Sequence, residues 1–215
     1  MISCPCCNDA SVNSSASKRT NPHRAISLGV SACEGGALCQ ILTVGHSTRP
    51  VEEFIDLLLA HGATQLVDVR TVPRSRHNPQ FNAETLPNRL AAAHIGYAHA
   101  AGLGGFRRTT PNSRNTGWRN LSFRGYADYM QTADFYENLV SLIELARHDR
   151  VALMCAEAVP WRCHRSLIAD ALVVHGVTTC EIVNLHRLQA HKLTPFARVS
   201  NHDISYPTEL ANPTT

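Results

Sequence analysis

Short apolar runs alternate with stretches of helical periodicity from residue 41 onward, and this alternation limits the folds open to the chain. Residues 41–44 and 151–154 are apolar at almost every position rather than at every second one. Such runs are typical of strands that are buried on both faces of a parallel sheet. The sequence therefore predicts an α/β protein, formed by a single three-layer, Rossmann-like domain with a mostly parallel sheet.

Several element limits carry signals of their own. Pro50 suits the first turn of a helix, and Gly62 and Gly176 suit the position that follows a helix end. Asn82 is a candidate N-cap for a helix over residues 83–93. Together with the apolar runs, these signals predict the order β-α-β-α-β-α-α-β-α-β.

Composition divides the chain into three segments. Residues 1–40 are rich in serine and hold five of the eight cysteines without an apolar period, so we expect a disordered N-terminal tail. Residues 41–190 carry the α/β pattern and are the predicted domain. Residues 191–215 contain three prolines and are predicted to form an extended C-terminal tail.

Charge and hydropathy exclude some classes of protein. The formal net charge of +3 gives only mild support to nucleic-acid binding. No apolar run is long enough for a spanning helix, so no membrane partner is expected. The first residues lack a basic region followed by an apolar core, so we expect a cytoplasmic protein with reduced thiols.

The segment at residues 155–166 follows an apolar strand and leads into a helix. Ligands of α/β sheets bind beyond the carboxyl ends of the strands, which makes this segment a candidate site. Cys155 is a candidate nucleophile, because positive charge and a helix N-terminus lower the pKa of a thiol, although burial as a small apolar residue is the alternative. Glu157 is a candidate general base or nucleophile. The candidate anion ligands here are Arg162, His164 and Arg165.

Two earlier strand ends also carry polar side chains. His46 is a candidate acid or base, or a structural histidine, and Ser47 beside it is a candidate substrate ligand. Asp68 and Arg70 stand at alternate positions, on the same side of their strand. They either bind substrate or form an ion pair.

Arginine and aromatic residues recur together in the loops. Only two of the 20 basic residues are lysine, and arginine beside an aromatic ring suits phosphate binding and base stacking. The candidate substrate ligands of this kind are Arg74, Arg76, Arg124, Tyr126 and Trp161. They could equally form a solvated surface.

A zinc site would need ligands at a diagnostic spacing, which the cysteines and histidines of this chain lack. The sequence therefore predicts no metal and no cofactor. The residues considered for zinc are His46, Cys155, Cys163 and His164.

Several of these motifs occur together in one known family. From about residue 41 to 185 the chain resembles the family called domain of unknown function 488. The residues that carry the resemblance are 43–47, 67–70, 73–76, 78–81, 104–105, 123–130, 154–157 and 161–165. The resemblance implies the extent of the α/β domain and no particular reaction.

A more distant likeness is to the rhodanese and cysteine-phosphatase architecture. Residues 67–70 and the later order of strand, cysteine, loop, arginine, serine and helix are similar to it. Cys155 and Arg162 enclose six residues, one more than the phosphatase loop, and Pro160 and Trp161 stand where that loop carries glycine.

The favoured hypothesis is a hydrolase or group transferase that binds an anionic substrate, a nucleotide or nucleic-acid phosphate, in an arginine-rich pocket. In it His46 and Glu157 perform the chemistry. One alternative is a rhodanese-like enzyme that uses Cys155, and another is a non-catalytic nucleic-acid-binding module. The oligomeric state is left open.

Overall fold

The computed structural model of the protein describes residues 40–208. The predicted N-terminal tail therefore lies outside the described residues except for Gln40, and so does the end of the predicted C-terminal tail. In the described part of the chain, no helix combines the length and the apolar character needed to cross a membrane.

A six-stranded sheet forms the centre of the α/β domain. Its order is β3-β2-β4-β1-β5-β6, and every neighbouring pair is parallel except β5 and β6. The mostly parallel sheet of the prediction is confirmed. The strands are β1 (Gln40–Gly45), β2 (Gln65–Asp68), β3 (Gly96–His99), β4 (Val151–Cys155), β5 (Thr178–Asn184) and β6 (Arg187–Ala190).

Helices cover both faces of this sheet, because successive residues of a buried strand point to opposite sides. Leu153 belongs to one hydrophobic cluster and Met154 to the other. Helices α1 and α2 supply side chains to the cluster of Met154, whereas α3, α4 and α5 supply the cluster of Leu153. The helices are α1 (Val51–Ala60), α2 (Leu86–Ala92), α3 (Leu121–Tyr129), α4 (Ala133–Leu145) and α5 (Arg165–Val174).

Some predicted helix ends agree with the structure, and others differ from it. Gly62 and Gly176 have φ values of 68° and 78°, which a residue with a side chain adopts at a cost. Both therefore end their helices as predicted. Helix α2 begins after Thr85 rather than after Asn82, and residues 79–81 form a separate 3-10 turn before it.

The chain beyond β5 contains elements that the apolar pattern does not reveal. After β6, residues 198–205 form a hairpin of β7 (Arg198–Ser200) and β8 (Asp203–Ser205). Tyr206 then packs with no exposed surface into the cluster of Leu153. As far as residue 208, the segment predicted as an extended tail therefore contributes to the core.

Strands β2 and β4 lie side by side at the switch point of the sheet. The chain leaves β2 toward β3 on one side, and leaves β4 toward β5 on the other. Connections that diverge from two adjacent strands leave a crevice at their carboxyl ends. Asp68, the last residue of β2, is the ladder partner of Met154, which directly precedes Cys155.

Candidate functional site

Cys155 ends β4 at the switch point, and only 8% of its surface is exposed. The loop that follows returns to the same place, since Cys163 and His164 directly precede α5. Cys163 is also buried, with 4% exposed. The fold thus brings the two thiols of this loop together beside one imidazole.

The imidazole of His164 faces both sulfur atoms. Its Nδ1 lies 4.0 Å from Sγ of Cys155 and 3.8 Å from Sγ of Cys163. On the other edge of the ring, Nε2 donates to the carbonyl oxygen of Val69 at 3.0 Å. A carbonyl oxygen only accepts, so Nε2 carries the hydrogen of that bond, and Nδ1 is the ring nitrogen that faces the thiols.

The two thiols are electrostatically unequal. A hydrogen bond from Cys163, with help from His164 and the backbone N–H of Glu157, holds the pKa of Cys155 well below its ordinary value. The same interaction with Cys155, together with burial, raises the pKa of Cys163. Cys155 is therefore the thiolate of the pair, and Cys163 is a hydrogen-bond donor to it.

Gly45 and Gly105 let the backbone approach this cluster closely. A Cβ atom on Gly45 would clash with the carbonyl oxygen of Glu157, in the loop after Cys155. A Cβ atom on Gly105 would lie 2.6 Å from Nδ1 of His164, and 2.9 and 3.0 Å from the Cγ and Cε1 ring carbons. Both contacts are shorter than a side chain allows, so each position requires glycine.

His46, a predicted acid or base, is buried in the protein rather than exposed to a substrate. Its side chain is 1% exposed and stacks on Phe81 at 4.1 Å. Nδ1 lies 2.8 Å from the carbonyl oxygen of Ser47, and Nε2 lies 3.3 Å from the Arg70 guanidinium. Burial, aided by the charge of Arg70, lowers the pKa of His46 to about 4. The ring is thus neutral near pH 7.

Asp68 and Arg70 form the mutual ion pair that the sequence left as one of two possibilities. Nη2 of Arg70 lies 2.6 Å from Asp68 Oδ2 and also donates to the carbonyl oxygen of Phe81. The hydroxyl of Tyr97 donates to the same carboxylate at 2.9 Å. Both members of the pair are buried, and their polar atoms are used within the protein.

Arg165, a predicted anion ligand, holds the loop instead. It has no exposed surface and forms an ion pair with Glu181 at 2.9 Å. The same guanidinium donates to the backbone carbonyls of Glu157 and Ala158. Arg165 therefore fixes the path of the chain just after Cys155.

Glu157 lies in this loop and Ser47 lies beside it, and both side chains are partly exposed. Oε1 of Glu157 accepts the backbone N–H of Val159 at 3.3 Å. Ser47 adopts a left-handed φ of 52° and donates its N–H to the carbonyl oxygen of Ala156. That bond ties the turn after β1 to the loop after β4.

The remaining candidates separate into exposed and internally bonded groups. Arg124 donates to the carbonyl oxygens of Trp118 and Thr116, and the buried Tyr126 donates to that of Leu103. Trp161 is 75% exposed. The exposed arginines, whose side chains form no hydrogen bond or ion pair with any described residue, are Arg74, Arg76 and Arg162.

Sequence reasoning weighed Cys163 only as a zinc ligand, left it out of the predicted site, and gave His164 the role of a substrate ligand. The available signal was the adjacency of Cys163 and His164 at the start of a helix, in a loop that leaves a strand at Cys155. The part played by the Val69 carbonyl had no signal, because a backbone acceptor is independent of side-chain identity.

A shallow cleft of about 350 Å³ lies elsewhere, between α1 and the turn from β5 to β6. Its lining contains none of the candidate residues. The lining residues are Arg49, Glu53, Leu57 and residues 183–186.

Comparisons with known proteins agree with the resemblance seen in the motifs. Residues 50–172, more than half of the chain, match a family model described as domain of unknown function DUF488. Comparison with curated proteins gives no match, and neither does comparison with solved structures.

Proposed function

The chain belongs to the DUF488 family, and because the description of that family states no activity, we propose a function from the site itself. The protein is a thiol-dependent transferase in which the Cys155 thiolate accepts a sulfur atom from a small anionic donor. This is the rhodanese-like alternative of the sequence analysis, carried by one observation. The Cys155 sulfur lies at the switch point and receives hydrogen bonds from Cys163 and from the N–H of Glu157.

Those donors suit a nucleophilic sulfur. They hold negative charge on Cys155 in a buried place, where an unpaired anion would be costly. His46 does not support the rival acid–base mechanism, since both ring nitrogens are engaged within the protein. Glu157 keeps an exposed part and remains the only carboxylate of that rival hypothesis.

The transfer step balances with thiosulfate as the donor. The thiolate of Cys155 attacks the outer sulfur of thiosulfate, the sulfur–sulfur bond of the donor breaks, and sulfite leaves with the electron pair. Cys155 then carries a persulfide. An acceptor thiolate attacks its outer sulfur and restores the Cys155 thiolate.

Exposed cations support an anionic donor. Arg162 lies in the loop after β4, and Arg74 and Arg76 lie in the loop after β2. Because β2 and β4 are parallel neighbours, both loops leave the same edge of the sheet. Guanidinium groups bind oxyanions by paired hydrogen bonds. Of the six arginines proposed from the sequence, these three keep that capacity.

Peptide mass spectrometry tests the proposal on the reduced full-length chain. Trypsin releases residues 151–162, a fragment that contains Cys155 without Cys163 or Cys180. After incubation with thiosulfate, this fragment should gain the mass of one sulfur atom. Cys180→Ser, in β5, is the matched control and should load normally. An unmodified fragment, or equal loading of all cysteine fragments, would contradict the proposal.

A nucleotide-binding activity is the second candidate. The observation that favours it is the exposure of Trp161 beside Arg162, which suits base stacking together with phosphate binding. Trp161→Ala should weaken nucleotide binding several-fold, whereas it should leave sulfur loading of Cys155 intact. Loss of turnover on a phosphate ester in Glu157→Gln would favour the hydrolase hypothesis.

Three finer predictions belong with this proposal. The domain begins at residue 41 and extends past the predicted limit of 190 to include the packed segment as far as residue 208, its doubly covered sheet is Rossmann-like, and the protein acts in the cytoplasm. A cytoplasmic location is consistent with Cys155 and Cys163, which are thiols rather than a disulfide in the structure.

A further inference from the structure

We propose that Cys155, Cys163 and His164 form a binding site for a thiophilic divalent cation of the zinc class. Their two Sγ atoms and the Nδ1 atom lie within 4.8 Å of one another, at the carboxyl edge of β4. This set of two sulfurs and one imidazole nitrogen suits zinc and leaves a fourth position for water or a ligand.

The distances are close to those of a coordinated ion. Tetrahedral zinc with Zn–S bonds of about 2.3 Å and a Zn–N bond of about 2.0 Å separates sulfur from nitrogen by roughly 3.6 Å. The observed separations from Nδ1 are 4.0 Å to Cys155 and 3.8 Å to Cys163. A movement of a few tenths of an ångström brings Nδ1 to the ligand separation from each sulfur.

The surroundings of His164 provide an independent argument. Metal-ligating histidines donate their second ring N–H to a carbonyl or a carboxylate, which fixes the tautomer and the ring direction. His164 makes this contact through Nε2 to Val69. The imidazole also lies against Tyr126, with ring centroids 5.0 Å apart. Contacts within the protein thus direct Nδ1 at the two sulfurs.

Hydrogen bonds from the backbone also stabilise the two sulfur atoms. The backbone N–H of Glu157 bonds to the Cys155 sulfur, and that of Arg165 bonds to the Cys163 sulfur. Such bonds stabilise the thiolate form, which is the form in which cysteine binds a metal ion. With the ion bound, the Cys155 sulfur is no longer available, so occupancy and sulfur loading exclude each other.

Cobalt(II) is the probe, because sulfur ligands give it a charge-transfer absorption in the near ultraviolet. The titration uses the reduced full-length chain with Cys4, Cys6, Cys7, Cys33 and Cys39 replaced by serine, so that these cysteines contribute no signal. We expect one cobalt ion per chain, a sulfur-to-cobalt absorption band, and displacement of cobalt by zinc.

Three substitutions define the ligands, which are Cys155→Ser, Cys163→Ser and His164→Asn. Loss of a supporting contact alone weakens metal sites by about 10–100-fold, so loss of a ligand should weaken cobalt binding by at least ~100-fold. Cys180→Ser is the control and should bind cobalt as the parent does. Cobalt binding without the sulfur band, or binding unchanged by the first two substitutions, would overturn the proposal.

A second measurement avoids substitutions at the site. In the chain with native Cys155 and Cys163, one equivalent of zinc should slow alkylation of both thiols at least tenfold and leave the rate at Cys180 unchanged. Equal alkylation with and without zinc would also overturn the proposal. Neither readout measures turnover. Metal binding can therefore be confirmed when sulfur loading of Cys155 fails, and sulfur loading can be confirmed when metal binding fails.

Discussion

Arg165 and Glu181 form an ion pair inside the protein, with Nη2 of the arginine 2.9 Å from Oε1 of the glutamate. Arg165 has no exposed side-chain surface and Glu181 has 15%. The pair joins α5 to β5, and its arginine also binds the carbonyls of the loop after Cys155. A contact between two elements thereby sets the position of the candidate nucleophile.

Arg165→Met should strongly destabilise the fold. Methionine keeps most of the volume but leaves the Glu181 carboxylate without its cation, and breaking a buried pair in this way costs about 3–5 kcal/mol. Urea unfolding measures the loss. Arg147→Met removes a partly exposed partner of Glu144 and should cost only about 0–1 kcal/mol. Similar losses of unfolding free energy in the two variants would show that the Arg165 pair stabilises the fold no more than the exposed pair does.

Much of the fold could be predicted because burial leaves a periodic signal. The ends of β1, β2 and β4 followed from the apolar runs, and the switch point gathers those ends at one edge. The short strands β6 and β7 gave no signal, since most of their side chains are exposed. The placement of β4 between β1 and β2 depends on packing between distant segments.

The site was harder to predict, because a residue of one type can either bind a ligand or be buried in the core. Which of the two it does depends on the partner that the fold brings next to it. Arg165 and Arg162 are three positions apart, yet only Arg165 meets a buried carboxylate, and that carboxylate is on β5. Tyr126 likewise hydrogen-bonds inside the core, while Trp161 is exposed. The expectation that sites form at the carboxyl ends of strands identifies the correct edge of the sheet. It does not predict which side chains at that edge are buried.

Gly105→Ala should disturb His164 specifically. The new methyl group would meet the imidazole at 2.6 Å from Nδ1, and overpacking of this kind costs about 1–3 kcal/mol. Thermal unfolding should report the loss, and cobalt binding should weaken at least several-fold as the ring moves. The matched test is a double-mutant cycle with His164→Ala, in which the alanine at position 105 finds space. Additive losses in that cycle would place the clash elsewhere.

His46 should make the folded protein sensitive to acid. Its pKa is about 4 in the folded protein and 6.5 in the absence of burial, so the unfolded chain binds more protons between these values. The free energy of unfolding therefore falls as the pH drops from 6.5 to 4, and the contribution of this histidine is about 3 kcal/mol. Above pH 6.5 this contribution is fully present.

Charged groups around His46 contribute to the shift of its pKa, and a substitution at this residue tests its share of the acid sensitivity. Arg70 opposes protonation, whereas Cys155 and Asp68 favour it more weakly than burial disfavours it. His46→Asn should flatten the fall in urea-unfolding free energy between pH 6.5 and pH 4. His148→Gln removes a histidine with 76% side-chain exposure and should leave the fall unchanged. An equally steep fall in His46→Asn would contradict the assignment.

Asp170 should hold the C-terminal segment on the domain. This carboxylate on α5 has no exposed surface and accepts bonds from His191 at 2.7 Å, from the hydroxyl of Thr194 at 2.7 Å and from the hydroxyl of Tyr206 at 2.9 Å. Asp170→Ala leaves these donors without their acceptor, and an unsatisfied buried group such as the Tyr206 hydroxyl costs about 1–3 kcal/mol. We expect faster tryptic cleavage after Lys192, because the segment detaches before the sheet unfolds. Asp56→Asn, an exposed change on α1, should leave cleavage at its original rate. If Asp170→Ala resists trypsin as well as the parent does, the packing of Tyr206 alone retains the segment.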